Sequence, residues 1–341
     1  MKFAYTGDCV LQGIQSIAGT SFVNLGNELL SDDCQLIINL ESPFVKGHEF
    51  PIKNKITLSA LPDSICFLDY LMPYLINLAN NHINDYGNES VLFTQELLDK
   101  HHFHYWGVGY KTELDNNVWV DSVNKIINIA YVTRTSDFTG SRLFADVDLI
   151  GGFSPNLKQV EQIRKKYRDF SIIVNIHWGR EDISYPEPDK RELAHNLIDA
   201  GVDLIIGHHP HIIQHCECYK EKMIYYSIGN FYFPAIEYKI DGGIFYKNPL
   251  RHQRIGLIPI IEIDHGIINK IITWEVKTED SGELSWTKNV DLSYLPSNMR
   301  VYRFFYKGYE FLLFLKRVST FLRRNFSNPK LVLSKIFKKM G

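Results

Sequence analysis

The sequence predicts an α/β fold built in layers. Three observations carry that expectation. Apolar runs of strand length alternate with apolar stripes at helical spacing through most of the chain. Many of those runs end in an aspartate, glutamate, asparagine or histidine. With 341 residues, 45% of them hydrophobic, the chain can bury one large core or two modest ones.

Taken in order, Lys2–Thr6 reads as a first strand ending at Gly7-Asp8, and Gln35–Leu40 as a second ending at Glu41. Tyr74–Ala79 is a third, ending at Asn80-Asn81-His82. Asn88 then caps a helix whose apolar positions are Val91, Leu92, Leu97 and Leu98. The apolar run Ile126–Val132 is closed by Arg134. Ser154 reads as an N-cap with Pro155 at the first helical position, followed by Leu157, Val160, Ile163 and Tyr167 on one face. Ser171–Ile176 is a strand ending at His177-Trp178-Gly179. Asp189 opens a helix with Leu193, Leu197 and Ile198 inward and Gly201 as its stop. Val202–Ile206 leads into Gly207-His208-His209-Pro210-His211, and Met223–Ile228 into Gly229-Asn230. Ile255–Ile263 and Ile267–Glu275 read as an antiparallel pair around Asp264-His265-Gly266.

After Trp286 the composition changes, which divides the chain into a body (1–286) and a basic, amphipathic helical tail (287–341). Arg300–Gly341 holds eleven Lys and Arg against the single acid Glu310, so the remaining 299 residues carry a net charge of −12. An acidic body argues against a nucleic-acid substrate, which needs a basic channel. In the tail, Leu333, Ile336, Phe337 and Met340 share a helical face opposite Lys335, Lys338 and Lys339. Such a helix suits an anionic membrane surface, or alternatively the protein's own acidic body.

The five cysteines, Cys9, Cys34, Cys66, Cys216 and Cys218, show no disulfide-framework spacing, which fits a reducing, cytoplasmic setting. Asp8 interrupts any signal-peptide core, and no run of about 18 apolar residues is present. The expected location is cytoplasmic, peripheral at the inner face of the membrane. No Walker loop or GxGxxG follows a strand, which argues against a nucleotide-dependent ligase.

Ligands of open α/β sheets bind beyond the carboxyl ends of the strands. Here those ends offer Asp8, Glu41, Asn81, His82, His177, His209 and His211. That mixed N/O set suits one or two divalent ions: Mn, Zn or Fe. Two such ions about 3.5–4 Å apart clamp a phosphate and acidify a bridging water. An unliganded imidazole nearby can protonate the leaving oxygen. Taken singly, most of these residues have plainer readings: Asp8 as a turn residue, Glu41 as a solvated loop acid, His177 as a core histidine. Only His209-Pro210-His211 stands by itself, and recurrence at strand ends lifts the rest. Arg180 offers a bidentate grip on an oxyanion or a surface ion pair; Arg134 is a weaker anion site. Asp85, three residues after His82, can orient that imidazole. Ser227 and Asn230 shape the loop beside the site, and Asn230 is a candidate substrate contact. His101-His102-Phe103-His104 reads as a solvated helix end.

Tyr5-Thr6-Gly7-Asp8, Asn39-Leu40-Glu41, Leu78–His82 through Asp85-Tyr86-Gly87, His177–Glu181, Gly207–His211 and Ser227–Phe231 together resemble the successive motifs of the CapA-type capsule-synthesis (poly-γ-glutamate synthesis) family. That family is similar in turn to calcineurin-like metallophosphoesterases. The resemblance covers residues 2 to 235 and implies a four-layer α/β/β/α sandwich. It implies metal ligation by Asp8, Glu41, Asn81, His177, His209 and His211, with His82 as leaving-group acid. The chain departs from the phosphoesterase pattern at three places. Val10 stands where the first motif has its histidine, Glu41 replaces an aspartate, and Asn80 replaces a glycine. One metal position is therefore expected to be weak.

The sequence thus predicts a metal-dependent hydrolase, with phosphoester cleavage as its reaction, acting on a cell-surface polymer or its precursor beside capsule-synthesis partner proteins. The alternative is a non-catalytic, membrane-associated subunit of a capsule-synthesis complex.

Overall fold

The computed structural model describes residues 1–13, 18–52, 55–134, 144–240 and 243–324. The expected face of Leu333, Ile336, Phe337 and Met340 lies outside them. The chain forms two compact units, Met1–Tyr294 and one beginning at Leu295. The first unit is a mixed α/β body with two large sheets. Its strands are β1 (Lys2–Cys9), β2 (Cys34–Leu40), β3 (Leu75–Asn77), β4 (Tyr105–Trp106), β5 (Val108–Gly109), β6 (Val118–Asp121), β7 (Ile126–Val132), β8 (Gly151–Gly152) and β9 (Ser171–His177). They continue with β10 (Leu204–His208), β11 (Glu217–Tyr219), β12 (Lys222–Tyr225), β13 (Asn230–Tyr232), β14 (Ile236–Ile240), β15 (Gly243–Lys247), β16 (Ile255–Asp264), β17 (Ile267–Thr278) and β18 (Leu284–Thr287). The helices are α1 (Ala18–Ser31), α2 (Cys66–Leu71), α3 (Asn88–Lys100), α4 (Leu157–Lys166) and α5 (Pro188–Asp199), with α6 (Met299–Arg324) in the second unit.

The first sheet runs β18-β17-β16-β1-β2-β3-β4, with β13 also paired to β1; the second runs β11-β12-β10-β9-β7-β6. In the first, β1, β2, β3 and β4 are parallel. In the second, β12, β10, β9 and β7 are parallel. Successive strand residues point to opposite faces, and β1 shows the consequence. Phe3 and Tyr5 join a core with Ile126, Ala130, Ile173, Leu204 and Ile206 of the second sheet. Ala4 joins a different core, with Phe22, Leu25 and Leu29 of α1 and Leu98 of α3. One face of the first sheet thus packs on the second sheet and its other face on helices. The β16–β17 pair turns through His265 and Gly266, both at positive φ, as a two-residue hairpin of the primed type requires.

Several boundaries differ from the sequence reading. The strand expected over Tyr74–Ala79 is only Leu75–Asn77, because the Asn77 side chain accepts from Ala79 N (3.0 Å) and turns the chain. The run Met223–Ile228 leaves its sheet after Tyr225. Conversely, β1, β9 and β10 run on to include Asp8, His177 and His208. Gly87, at φ 78°, holds the N-cap of α3 instead of Asn88, whose side chain is engaged with Asp148 O and Ile150 N. The cap of α4 is Asn156, accepting from Gln159 N, rather than Ser154. Gly201 stops the α5 segment at φ 118°, as expected. His101 follows α3 as its C-cap and meets Asp69, while His102 and His104 are solvent-exposed.

Candidate metal centre

Parallel strands bring their carboxyl ends to one rim, and register sets which residues share it. Asp8 pairs with Asn39, Asn39 with Asn77, and Asp8 with Asn230. In the second sheet His177 pairs with both Val132 and His208. Two glycines of the motifs permit the close approaches. A Cβ on Gly7 would lie 2.1 Å from Gly229 O, and one on Gly207 would lie 2.0 Å from Tyr226 O. The sheets meet where His209 N donates to Asp8 Oδ2 (3.0 Å). His209 and His211 both adopt positive φ (96° and 59°). That backbone costs on the order of 1–3 kcal/mol per residue and marks a site where side-chain aim has overridden local preference.

All six expected ligands, Asp8, Glu41, Asn81, His177, His209 and His211, are buried and converge. Two groups of donor atoms lie close enough for one ion each: Glu41 with His177 and His209, and Asp8 with Glu41 and His211. Glu41 belongs to both. His177 Nε2 lies 2.7 Å from Asn81 Oδ1 and 3.6 Å from Glu41 Oε1, and His211 Nε2 lies 3.9 Å from Glu41 Oε1. Donors on one ion, each at about 2.0–2.2 Å, stand no more than about 4.4 Å apart, so these spacings suit shared ions. Both Glu41 oxygens are buried without a hydrogen-bond partner among the described residues. A buried carboxyl group in that state fits the binding of a cation.

The charge balance agrees. Burial alone raises the Asp8 carboxyl, but hydrogen bonds from His208 and His211 outweigh it and hold Asp8 well below the usual carboxylate range. Burial, with the Asp8 charge beside it, pushes Glu41 well above that range. Burial and neighbouring His209 push His177 down. Burial opposes protonation of His211 too, yet Glu41 and Asp8 raise it to about 10. Outside this cluster, Asn39 donates to Asp8 Oδ1 (2.7 Å) and receives a bond from Asn77 (2.9 Å), which fixes the aspartate.

His82 opens onto a cavity of about 280 Å³ beside the cluster, with Asn81, His211, Glu181, Lys55, Lys247 and an apolar wall that includes Phe233. Its Nδ1 lies 2.6 Å from Asp85 Oδ2. Lys55 bonds both Asp85 and the Asn81 carbonyl, and Leu58 N donates to Asp85. Burial raises the Asp85 carboxyl, but Lys55 and His82 outweigh it and leave it below its usual value. Burial lowers His82 despite Asp85. A larger cleft, about 550 Å³, lies at the amino-terminal ends of β9 and β12 and holds none of these residues.

Other expected residues stand elsewhere. Arg180 and Arg134 do not line the cavity, whose lysines are Lys55 and Lys247. Asn230, expected to meet substrate, turns its amide to His211 Nδ1 (3.0 Å), His211 O and Gln253 O, so it positions His211. Val10 sits in an apolar cluster with Leu58, Phe233 and Ile236. Sequence reasoning missed His208, whose Nδ1 lies 3.4 Å from Asp8 Oδ1, and the signal was its place in the histidine triplet. It also missed Lys55 and Lys247, which no local motif marks.

The chain is similar to several known proteins. The chain is 33% identical over 236 residues to the capsule biosynthesis protein CapA of Bacillus anthracis, covering 66% of this chain and 57% of that one. It is 31% identical over 235 residues to the PGA biosynthesis protein CapA of Bacillus subtilis (strain 168), covering 66% and 60%. The chain thus spans about three fifths of the length of these relatives. Among solved structures, the Thermus thermophilus sulfate thiohydrolase SoxB aligns with 75% of this chain and 41% of its own at 9% identity, with a TM-score of 0.45. The family model for the bacterial capsule synthesis protein PGA_cap matches residues 2–235, most of the body and every motif of the rim, and the chain belongs to that family.

Proposed function

We propose that this protein is a metal-dependent hydrolase that cleaves a phosphoester while a capsule or other surface polymer, poly-γ-glutamate included, is made or modified. The observation that carries this reading is Glu41, buried with both oxygens unbonded between two donor groups. The fold that goes with it is a four-layer α/β/β/α sandwich. Glu41, Asn81, His177 and His209 would hold one ion; Asp8, Glu41 and His211 would hold the other. Bound Mn, Zn or Fe supplies Lewis-acid polarisation of the phosphoryl group and acidifies a water. His82 keeps Nδ1 on Asp85, which leaves Nε2 to pass a proton to the leaving oxygen. Lys55 holds Asp85 and the Asn81 backbone together, so the proton donor and an amide ligand keep one geometry. The substrate is the polymer or its precursor, not a nucleic acid, and capsule-synthesis proteins are the expected partners.

The test is turnover of a generic aryl phosphodiester with added Mn²⁺ or Zn²⁺. His209→Ala and Asn81→Ala are each expected to lower it more than about a hundredfold, because loss of an outer partner of a ligand alone costs 10–100-fold. A wild-type protein inert with every divalent metal ends this reading.

A second reading, a non-catalytic subunit held at the inner face of the membrane, is favoured by α6. Val301, Phe304, Phe311, Leu312 and Leu315 are exposed on it, among Arg300, Arg303, Lys307, Lys316 and Arg317. Apolar side chains flanked by cations suit an anionic bilayer surface. No helix among the described residues is long and apolar enough to cross a membrane. The five cysteines are free thiols, which suits the cytoplasmic side. Flotation with phosphatidylglycerol vesicles should retain the full chain and lose a chain cut after Met299. If His209→Ala and His82→Ala still support capsule formation while that truncation does not, the scaffold role prevails over the hydrolase.

A further inference from the structure

We propose that Glu181 is a ligand of one metal ion, completing the position formed by Asp8, Glu41 and His211. The inference rests on the metal-centre reading above and specifies what that position lacks. Three protein ligands and a water fill a catalytic zinc, while Mn or Fe commonly takes more and has room for a further protein donor. Val10, two residues past Asp8, is turned into an apolar cluster and offers no donor.

The orientation of His211 shows where the missing donor must come from. Asn230 donates through Nδ2 to His211 O and Gln253 O (3.3 and 2.7 Å), which fixes its amide and leaves Oδ1 as an acceptor facing His211 Nδ1 at 3.0 Å. Nδ1 thus faces two acceptors, Asn230 Oδ1 and Asp8 Oδ2 (3.3 Å), which leaves Nε2 as the nitrogen turned toward an ion. Two carboxylate oxygens face that nitrogen at the same distance: Glu41 Oε1 at 3.9 Å and Glu181 Oε1 at 3.9 Å. Each lies within the span of two donors on one ion when measured from Nε2; Glu181 stands outside the close group of Asp8, Glu41 and His211, so its side chain has to move in to share their ion. Glu181 also lines the cavity with His211 and His82, so an ion gripped there stands at the cavity wall, where a substrate can reach it. Its other oxygen, Oε2, lies 3.4 Å from Lys247 Nζ at the end of β15. That contact leaves Oε1 toward His211.

The plainer alternative makes Glu181 only the partner of Lys247, and the experiment separates the two. The full chain is stripped of metal and titrated with Mn²⁺, ions per chain are counted by calorimetry and elemental analysis, and thermal unfolding of each metal-free variant verifies the fold. The wild type should take two ions. Glu181→Gln should keep one at wild-type affinity and bind the other at least tenfold more weakly, whereas Lys247→Met should keep both. Two ions of unchanged affinity in Glu181→Gln overturn the ligand role and leave the hydrolase reading standing. An equal loss in Lys247→Met assigns the effect to the ion pair and also overturns it. A wild type that takes up no metal sinks both.

Discussion

Metal-free Glu41→Met protein should unfold at higher denaturant than the wild type and take up no tightly held Mn²⁺. Glu41 is fully buried, and neither oxygen has a hydrogen-bond partner among the described residues. A buried polar group in that state costs about 1–3 kcal/mol, and a thioether of similar length removes that cost with little change in volume. Burial and the Asp8 charge raise the Glu41 carboxyl well above its normal range, so it gives up its proton less readily than an ordinary glutamate. His211 keeps Asp8 at 3.3 Å when Glu41 is replaced. The sign of the pH dependence follows. The unfolded glutamate ionises near pH 4.3 while burial moves ionisation of the folded one to higher pH, so the wild type loses stability as pH rises above about 4.3 and the variant's advantage widens. The functional cost is the opposite. Both donor groups share Glu41, so both ions should bind more than about a hundredfold more weakly, beyond the 10–100-fold loss seen for outer partners. Urea unfolding and Mn²⁺ titration of one preparation measure both effects. A variant no more stable than the wild type, or one still carrying two ions, contradicts the account of Glu41.

This trade explains why the rim was legible in the sequence. Selection for packing alone does not place Asp8, Glu41, Asn81 and His177 at the ends of apolar runs, since each is expensive to bury. The recurrence of that expense at equivalent points was the signal. The strand extensions were less visible because the same residues look like punctuation. His177 and His208 read as the first residues of loops, yet both are the last paired residues of their strands.

What the sequence could not supply is side-chain aim and long-range approach. Asn230 lies in a motif beside the site, so it reads as a substrate contact; only the fold shows its amide committed to His211. Arg180 follows the His177 motif directly, but the cavity takes its lysines from Lys55 and Lys247, far from any motif in the chain. Lys55 is nearly buried, which composition gives no reason to expect of a lysine. Its partners Asp85 and Asn81 O are the reason, and they are assembled only in three dimensions. The caps failed for a related cause. Asn88 is a good N-cap by type, but Asp148 and Ile150 compete for its amide.

Arg191→Met should lower stability by about 3–5 kcal/mol while leaving metal stoichiometry intact. Arg191 on α5 is fully buried, and its Nε donates to Glu217 Oε2 on β11 at 2.8 Å, with a second bond from Nη2 to Oε1. His195 Nε2 lies 3.0 Å from Oε1 and the Tyr226 hydroxyl donates to Oε2. Burial opposes ionisation of Glu217, but those bonds, Arg191 first, bring it down to about 2. Removing one partner of such a pair leaves an uncompensated charge, whereas replacing both is often close to neutral. Glu217→Gln should therefore recover part of the loss in the Arg191→Met background, because the amide still accepts from Tyr226. Acid should narrow the difference between Arg191→Met and the wild type. A depressed carboxyl contributes stability above its unfolded value near 4.3 and loses it as pH falls toward 2, so the wild type forfeits this contribution there and the variant has little left to forfeit. Urea unfolding at pH 7 and pH 3 measures both, with circular dichroism to verify the folded baseline. Tyr226 joins this cluster to the rim: Trp178, next to His177, donates to its carbonyl at 2.7 Å and stacks on its ring. If Arg191→Met loses an ion while still folded, the two networks are one cooperative unit; if it keeps both ions, the charge pair serves the scaffold alone. A difference between the proteins that does not shrink at pH 3 contradicts the charge account of the pair.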